Sequence, residues 1–359
     1  MQITKIVGTG SCVPERKITN MDLAEFMDTS DEWIRSRTGI RERRITDNMT
    51  TSQLAAEAAE KALLQAGIQA EDVDLIVTAT SSPEYFFPSA ACEVQAMIGA
   101  CNAVAYDISA ACSGFLFALH TGYAFLKSGI YKHALVIGAD VMSKMVDWED
   151  RSTCVLFGDG AGAAVLRADQ AEDGCAELNI RGIQGFNMGS DGRKGEVLTC
   201  RARSNGNFLT GTKPEQGFLF MNGQEVFKFA VKKVPESIEN LLTQTGEDKE
   251  QITYFILHQA NCRIIEAVAK RLKLPLDRFP MNIENYGNTS GASIPILLDE
   301  LNRNGRLKPG DKLVLSGFGA GLTWGSALNL VVVKFIAAIQ EDIQNGCWNY
   351  KSKRRLQLC

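Results

Sequence analysis

The sequence has 359 residues, enough for about two ordinary domains with hydrophobic cores of their own. Hydrophobic residues make up 45% of the chain and charged residues 22%, which excludes a disordered or collagen-like protein. The 42 acidic residues outnumber the 38 basic ones, and the formal net charge of −4 gives no sign of general nucleic-acid binding. Any basic site for a partner must therefore be local.

Ten cysteines are spread along the chain, and none forms a Cys-x-x-Cys pair or a cluster with histidine. This spacing predicts reduced thiols with no metal site. The N-terminal residues MQITKIVGTGSCVP alternate like a strand and lack the apolar run of a signal peptide. The apolar stretch at 328–339 is interrupted by Asn329 and Lys334 and is too short to span a bilayer. We therefore expect a cytoplasmic protein without a membrane segment.

Helical and strand-like segments alternate along the chain. A helix over 51–66 precedes a buried strand over 73–79, and a helix over 112–128 precedes a strand over 133–138. This alternation predicts α/β layers. The Gly-, Asn- and Asp-rich stretch at 168–215 predicts a long linker or a functional loop between two halves. We expect one half over 1–170, a second over 171–328, and a basic C-terminal extension over 329–359 that is disordered or foreign to the natural chain.

A weak internal repeat relates the two halves. Residues 63–77 and 241–257 share the order helix end, Gly-containing loop, strand. Residues 112–129 and 288–305 are equally long, end in Gly and precede a buried strand. We infer a duplicated α/β unit in which Cys112 and Asn288 begin equivalent helices. If those helix N-termini converge, their dipoles should lower the pKa of the Cys112 thiol.

Three residues are candidates for chemistry. Cys112 lies among small residues in DISAACSGFLF, which suits a nucleophile beside a backbone N–H group, although a free cysteine is more often a small buried hydrophobe. His258 ends the predicted strand ITYFILH, where catalytic groups of α/β folds are common. Asn288 offers an amide donor, or simply a helix cap. His120 and His133 are interpreted as structural.

With these residues in place, the chain resembles the β-ketoacyl-acyl carrier protein synthase III family over residues 1 to about 328. The resemblance implies a thiolase-like α/β fold with duplicated halves in five αβαβα layers. The motifs that carry it are TSDEWIRSRTGIRERR at 29–44, FPSAACEVQ at 87–95, DISAACSGF at 107–115, FGDGAGAAVL at 157–166, NGQEVFKFAV at 222–231, HQANCRII at 258–265, NYGNTSGAS at 285–293 and GFGAGLTWGSA at 317–327.

The resemblance implies a two-stage Claisen condensation. Cys112 would take an acyl group from acyl-CoA, which is a substrate and not a cofactor; no cofactor is expected. Malonyl-acyl carrier protein would then lose CO₂, and His258 and Asn288 would stabilise the enolate. The backbone N–H groups of Cys112 and Ala320 would form the oxyanion hole. Position 320 commonly holds Gly in the family, and Ala there would be strained if its φ were positive.

The resemblance also implies substrate-binding residues. Gln224 departs from the Asn often found at its position, which leaves its side-chain contact open. A bulky Phe87, inserted from the other subunit of a homodimer, would favour a small primer such as acetyl, with branched or medium-length primers also possible. The implied CoA-binding residues are Trp33, Arg37, Thr38, Arg151, Gly223, Phe227 and Asn261, and the implied acyl-pocket residues are Phe87, Met142, Leu156 and Phe157.

A local basic patch suits an acidic partner protein. Arg263, Lys270 and Arg271 share one face of a predicted helix, and Lys228 lies on another helix. A charged helix face is usually just exposed to solvent, but the resemblance implies that this face receives the acyl carrier protein. The leading hypothesis is initiation of fatty acid synthesis. A relative that makes a polyketide or another specialised product is the alternative, and a non-catalytic scaffold is disfavoured because all three candidate catalytic residues are present.

Overall fold

The structure is a computed structural model that describes residues 2–170, 182–201, 206–213 and 217–331. The predicted C-terminal extension lies outside these residues from position 332 onward. The strands of the described chain are β1 (Gln2–Cys12), β2 (Lys17–Thr19), β3 (Glu42–Arg44), β4 (Leu75–Ala79), β5 (Val104–Ile108), β6 (His133–Val141), β7 (Asp159–Gln170), β8 (Gly182–Ser190), β9 (Leu198–Cys200), β10 (Leu219–Met221), β11 (Tyr254–Leu257), β12 (Lys312–Gly319) and β13 (Thr323–Leu330).

The helices mostly begin at polar caps. Thr50 caps the third helix through its hydroxyl, and Gly67 ends that helix in the left-handed region, with φ 64°. The helices of the described chain are α1 (Asn20–Ala24), α2 (Asp31–Thr38), α3 (Thr51–Ala66), α4 (Ala90–Ile98), α5 (Gly114–Lys127), α6 (Gly223–Thr245), α7 (Cys262–Leu272), α8 (Ile283–Tyr286) and α9 (Ser293–Arg303).

Two central sheets have matching strand pairings. The first sheet has the order β1-β7-β6-β4-β5, and the second has the order β11-β12-β13-β8. In the first, β4 and β6 are parallel, while β6 with β7 and β7 with β1 are antiparallel. In the second, β11 and β12 are parallel, while β12 with β13 and β13 with β8 are antiparallel. The same pattern in both halves agrees with the internal repeat.

Five layers result from the way helices cover the sheets. Helices α3 and α4 pack on the outer face of the first sheet. Helices α5 and α9 lie between the sheets and share one apolar core with both. Helices α6 and α7 cover the outer face of the second sheet. Strands such as β4, with all five residues of LIVTA buried, are apolar on both faces because helices cover both sides. The α/β, thiolase-like architecture is therefore confirmed.

The helix starts of the two halves correspond differently from the sequence prediction. A 3₁₀ turn at Ala111–Ser113 precedes α5, and its counterpart at Ser290–Ala292 precedes α9. Each turn begins with a non-glycine residue of positive φ, 46° at Ala111 and 51° at Ser290. The equivalent of Cys112 is therefore Gly291 and not Asn288. Equal segment length misled the prediction, because α5 has 14 residues and α9 has 11.

The expected linker at 168–215 contains sheet structure. β7 runs to Gln170, and β8 forms the edge strand of the second sheet by pairing with β13. The glycine-rich sequence of β8 did not indicate a strand. Packing requires glycine at position 189, because a Cβ there would lie 2.4 Å from the ring of Trp324. β13 also extends to Leu330, past the boundary placed at 328, because Asn329 pairs with Leu313 and Ile183.

Candidate active site

One cavity of about 410 Å³ lies at the seam between the halves. The first half contributes Cys112, and the second contributes His258 and Asn288, so the structure brings the three candidate catalytic residues to one cavity. The sequence prediction missed many lining residues, because most are small or apolar and carry no chemical signature. The missed residues are Ser81, Ser109, Ala111, Met145, Leu198, Thr199, Cys200, Leu219, Met221, Val226, Ala260, Ile264, Ser290, Phe318 and Gly319.

Cys112 sits in the tight turn between β5 and α5. Two contacts hold the turn. Within it, Ser113 N–H donates to the carbonyl oxygen of Ala110 over 3.2 Å, and the Ser113 hydroxyl lies 2.7 Å from the hydroxyl of Thr323 in the second half. Positive φ at Ala111 is unfavourable for a residue with a Cβ, and the packing around the turn must maintain it. The turn therefore places the thiol in the cavity at the start of α5.

The pKa of Cys112 is opposite to the sequence expectation. Burial is the main cause that raises it to about 12; hydrogen bonding with Ser290 acts in the opposite direction, and the Asp140 carboxylate acts in the same direction as burial. Only 9% of the residue is exposed, so a thiolate there would lose most of its hydration. The resting group is accordingly a thiol, and its proton has to leave during acyl transfer.

His258 follows β11 and is almost fully buried. Its Nδ1 atom lies 2.6 Å from the Ser293 hydroxyl, and its ring contacts Phe318 edge-on, with 5.5 Å between ring centroids. Burial lowers the pKa of His258 to about 3. The imidazole is therefore neutral at physiological pH, which suits a hydrogen-bond donor better than a cationic acid.

Asn288 is fixed through its backbone and its side chain. Its N–H donates to Leu156 over 2.8 Å and its carbonyl accepts from Gly158 over 3.1 Å, so Asn288 forms a parallel bridge with Phe157 of the first half. The side-chain Oδ1 accepts from the Ser290 N–H over 2.8 Å. With Oδ1 occupied in this way, the amide NH₂ group is the part of the side chain left to donate in the cavity.

The predicted oxyanion-hole residue Ala320 lines the cavity beside Cys112. Its φ is not among the positive values of the described chain, so the strain considered for an Ala at this position is absent. The backbone comes closest to the Cys112 turn at the preceding residue, Gly319. A Cβ on Gly319 would lie 2.8 Å from the backbone N of Cys112, so only glycine fits there.

A second pocket of about 530 Å³ lies outside the first. The two pockets are adjacent, since both are lined by Leu156, Gly223, Phe227 and Asn261. The outer pocket is also lined by Trp33, Arg37, Thr38, Ser152, Val155, Gln224, Lys228 and Arg263.

An aromatic and cationic cluster marks the outer pocket. The guanidinium groups of Arg37 and Arg151 lie 4.7 and 5.4 Å from the centroid of the Trp33 ring. Arg151 does not line the pocket itself but lies beside Trp33, and its contact with a bound base stays a prediction. Asn261 is held by a 2.9 Å hydrogen bond from its Nδ2 to the carbonyl oxygen of Arg37. Such a cluster can stack with a flat base and attract phosphate.

Three of the four predicted acyl-pocket residues line the inner cavity, and the fourth does not. Met142, Leu156 and Phe157 line the inner cavity. Phe87 does not reach the cavity of its own chain. Its side chain is 87% exposed, and the neighbouring Phe86 is 77% exposed. Two adjacent exposed phenylalanines are unusual on a protein surface. From this position Phe87 can close a pocket only if a second chain supplies that pocket.

The predicted basic patch is exposed around the mouth of the outer pocket. Lys228 and Arg263 line that pocket, and Lys270 and Arg271 lie further along α7. Lys228 is 2.8 Å from Glu225, which offsets part of its charge.

Across the described residues, no group of His, Cys, Asp and Glu side chains could hold a metal ion, and no helix is long and apolar enough to cross a membrane.

A duplicated five-layer fold with Cys, His and Asn around a cavity at its seam defines a condensing enzyme of the thiolase-like class, an acyltransferase. Comparison with known proteins specifies the family. Residues 106–192 match the family model for 3-oxoacyl-[acyl-carrier-protein] synthase III, and residues 242–330 match the model for its C-terminal part. The chain belongs to the β-ketoacyl-[acyl-carrier-protein] synthase III family.

Individual relatives agree with this assignment. The chain is 50% identical over 330 residues to the β-ketoacyl-[acyl-carrier-protein] synthase III of Clostridium acetobutylicum, covering 91% of this chain and 98% of that one. The crystal structure of the Aquifex aeolicus 3-oxoacyl-[acyl-carrier-protein] synthase III superposes with a TM-score of 0.82 at 46% identity, covering 90% and 99% of the two chains. A priming β-ketosynthase of the R1128 polyketide pathway gives 0.83 at 32% identity, covering 92% and 96%.

Proposed function

We propose that this enzyme starts fatty acid synthesis by condensing an acyl-CoA primer with malonyl-acyl carrier protein. The products are 3-oxoacyl-acyl carrier protein, CO₂ and CoA. The observation that carries the proposal is the shared cavity, in which Cys112 of one half meets His258 and Asn288 of the other. The polyketide alternative is less favoured, because the chain shares 32% of its residues with the polyketide priming enzyme and 50% with the Clostridium synthase.

In the first stage, Cys112 attacks the carbonyl carbon of the acyl-CoA thioester. A new thioester forms on Cys112, the bond to CoA breaks, and the proton lost by the thiol leaves with CoA. The backbone N–H groups of Cys112 and Ala320 hold the negative oxygen of the tetrahedral intermediate. Gly319 lets this segment approach the turn closely enough for the two N–H groups to share one oxygen.

In the second stage, decarboxylation generates the carbon nucleophile, so no base has to remove a carbon-bound proton. The developing enolate oxygen needs donors instead. The neutral imidazole of His258 and the amide of Asn288 supply them. The carbanion then attacks the thioester carbonyl on Cys112, the bond to sulfur breaks, and the Cys112 thiolate takes up a proton from solvent to restore the resting thiol.

The outer pocket is the proposed site of the CoA nucleotide. Trp33 and Arg151 would hold the adenine, and Arg37 and Thr38 would contact the phosphate and base. Gly223, Phe227 and Asn261 line the passage to the inner cavity, where the pantetheine arm would lie. Acyl-CoA is consumed as a substrate, and the proposed reaction requires no cofactor. Lys228, Arg263, Lys270 and Arg271 would receive the acidic carrier protein at the same entrance.

The proposed primer is acetyl-CoA, and the proposed assembly is a homodimer. Met142, Leu156 and Phe157 line the inner cavity, and Phe87 from a second copy would close it. The 87% exposure of Phe87 supports a position against another chain, because burying an aromatic ring of this size is favourable.

Intact-mass measurement after incubation with a panel of acyl-CoA thioesters tests the proposal. We expect an acetyl adduct on the native protein and none on the Cys112→Ala variant. Addition of malonyl-acyl carrier protein should then remove the adduct and yield the 3-oxoacyl product. Folded, unmodified protein that gains no adduct from any acyl-CoA would contradict the proposed first stage.

A further inference from the structure

Ser293 connects His258 to the backbone of the second half. It is the first residue of α9, and only 2% of it is exposed. Its Oγ atom lies 2.6 Å from Nδ1 of His258 and 3.3 Å from the backbone nitrogen of Gln259. These contacts between buried groups place the hydroxyl next to the ring of His258, although the proposed chemistry does not use Ser293 directly.

The directions of these hydrogen bonds follow from the donors present. The backbone N–H of Gln259 can only donate, so Oγ of Ser293 accepts that bond. Within the described chain, Ser293 Oγ has no third partner. If Nδ1 of His258 carried the ring proton, the hydroxyl would accept twice, and its own proton would stay buried without an acceptor. The arrangement that pairs every group has Ser293 donating to Nδ1.

The geometry points to Ser293 as the positioning residue that holds His258 in the Nε2–H tautomer. This inference rests on the proposed function, in which His258 donates to an enolate oxygen. The protonated Nε2 is the ring nitrogen away from Ser293, and His258 lines the cavity. In the opposite tautomer, Nε2 would present a lone pair to a developing anion and repel it. Ser293 therefore affects the decarboxylation stage, while acyl transfer to Cys112 does not depend on it.

Nitrogen NMR on the wild-type protein tests the tautomer directly. The chain has three histidines, so ¹⁵N-histidine labelling gives a spectrum simple enough to assign by comparison with a His258→Asn sample. We expect the His258 signal to show protonated Nε2 and unprotonated Nδ1 at neutral pH. Protonated Nδ1 would overturn the inference, whatever the activity of the protein.

A set of variants tests the consequence for catalysis. Ser293→Ala should slow condensation by about 10- to 100-fold, the loss typical when the partner that orients a metal-bound histidine is removed, and leave acyl-Cys112 formation unchanged. Ser293→Thr keeps the hydroxyl and should recover most of the rate. Ser326→Ala is the matched control, because Ser326 is a buried serine of the same half that bonds Ser237 and Ser316. Equal loss in both stages, or wild-type condensation in Ser293→Ala, would overturn the inference. Wild-type protein that forms no acyl adduct would reject the proposed function instead and leave the tautomer result standing.

Discussion

Asp140 of the first half accepts a hydrogen bond from the backbone N–H of Gly291 of the second half, over 3.1 Å. The same carboxylate accepts from Ser81 N–H over 2.8 Å and from the Ser82 hydroxyl over 3.1 Å. Ser81 lines the cavity, and Gly291 follows Ser290, which also lines it. One fully buried carboxylate therefore fixes two segments of the active site, and its charge acts on Cys112.

Replacing that charge should make Cys112 more reactive. Burial is the main cause of the raised pKa of Cys112, and the Asp140 carboxylate adds to it, so Asp140→Asn should lower the pKa. The alkylation rate of Cys112 by iodoacetamide, measured against pH, should rise at lower pH in the variant. Asp299→Asn is the control, since Asp299 is buried against Thr9 and Ser11, away from the cavity. An unchanged pH profile would contradict this account.

The backbone approach at Gly319 should be sensitive to a single methyl group. In Gly319→Ala, the added Cβ would lie 2.8 Å from the nitrogen of Cys112 and 3.0 Å from that of Ser113, so the oxyanion donors must separate. We expect acyl transfer to fall by about 10²–10³, the usual cost of losing one such donor. Gly192→Ala, where a Cβ meets nothing within 4 Å, should be neutral. Rapid-quench acylation measures both, and equal rates in the two variants would exclude the proposed role.

Acid should destabilise the protein partly through His258. Burial lowers the pKa of His258 to about 3, from 6.5, so the unfolded chain binds a proton at this site that the folded chain does not. The stabilising contribution is complete above pH 6.5 and is lost as the pH falls toward 3. The fall in Tm between pH 7 and about 5 should therefore be larger for the wild type than for His258→Gln. Parallel melting curves that fall equally would contradict the assignment.

Charge reversal on α7 should separate the two substrates. Lys270 is exposed on the basic patch but does not line either pocket, so Lys270→Glu should raise KM for malonyl-acyl carrier protein and leave loading from acyl-CoA unchanged. The effect should weaken with added salt. Lys308→Glu, on a surface turn before β12, controls for net charge. Equal loss in both steps would count against a carrier-protein surface at α7.

Shortening Phe87 should alter the choice of primer. If the ring closes the acyl pocket of a partner, Phe87→Ala should accept longer acyl-CoA thioesters than the wild type in the intact-mass assay. Phe86→Ala is the matched control, because Phe86 is a neighbouring exposed phenylalanine of the same chain. An unchanged primer profile in Phe87→Ala would remove the proposed role and its support for the homodimer.

The sequence predicted the alternating layers and the main catalytic candidates because these depend on local patterns and specific motifs. The helix over 51–66 matches α3 in both bounds. The sequence did not predict β8, whose glycines have low strand propensity and whose partner β13 is distant in sequence. It also gave the wrong direction for the pKa of Cys112, because the helix-dipole argument is local, whereas burial depends on how both halves pack.

The two equivalent turns at the seam differ in one respect that the fold requires. Where one turn carries Cys112, the other carries Gly291, and a Cβ on Gly291 would lie only 3.3 Å from the carbonyl oxygen of Ala111. A side chain on the second turn would therefore press against the backbone of the turn that carries the nucleophile. The absence of a side chain at Gly291 thus leaves room at the seam for the turn that holds Cys112.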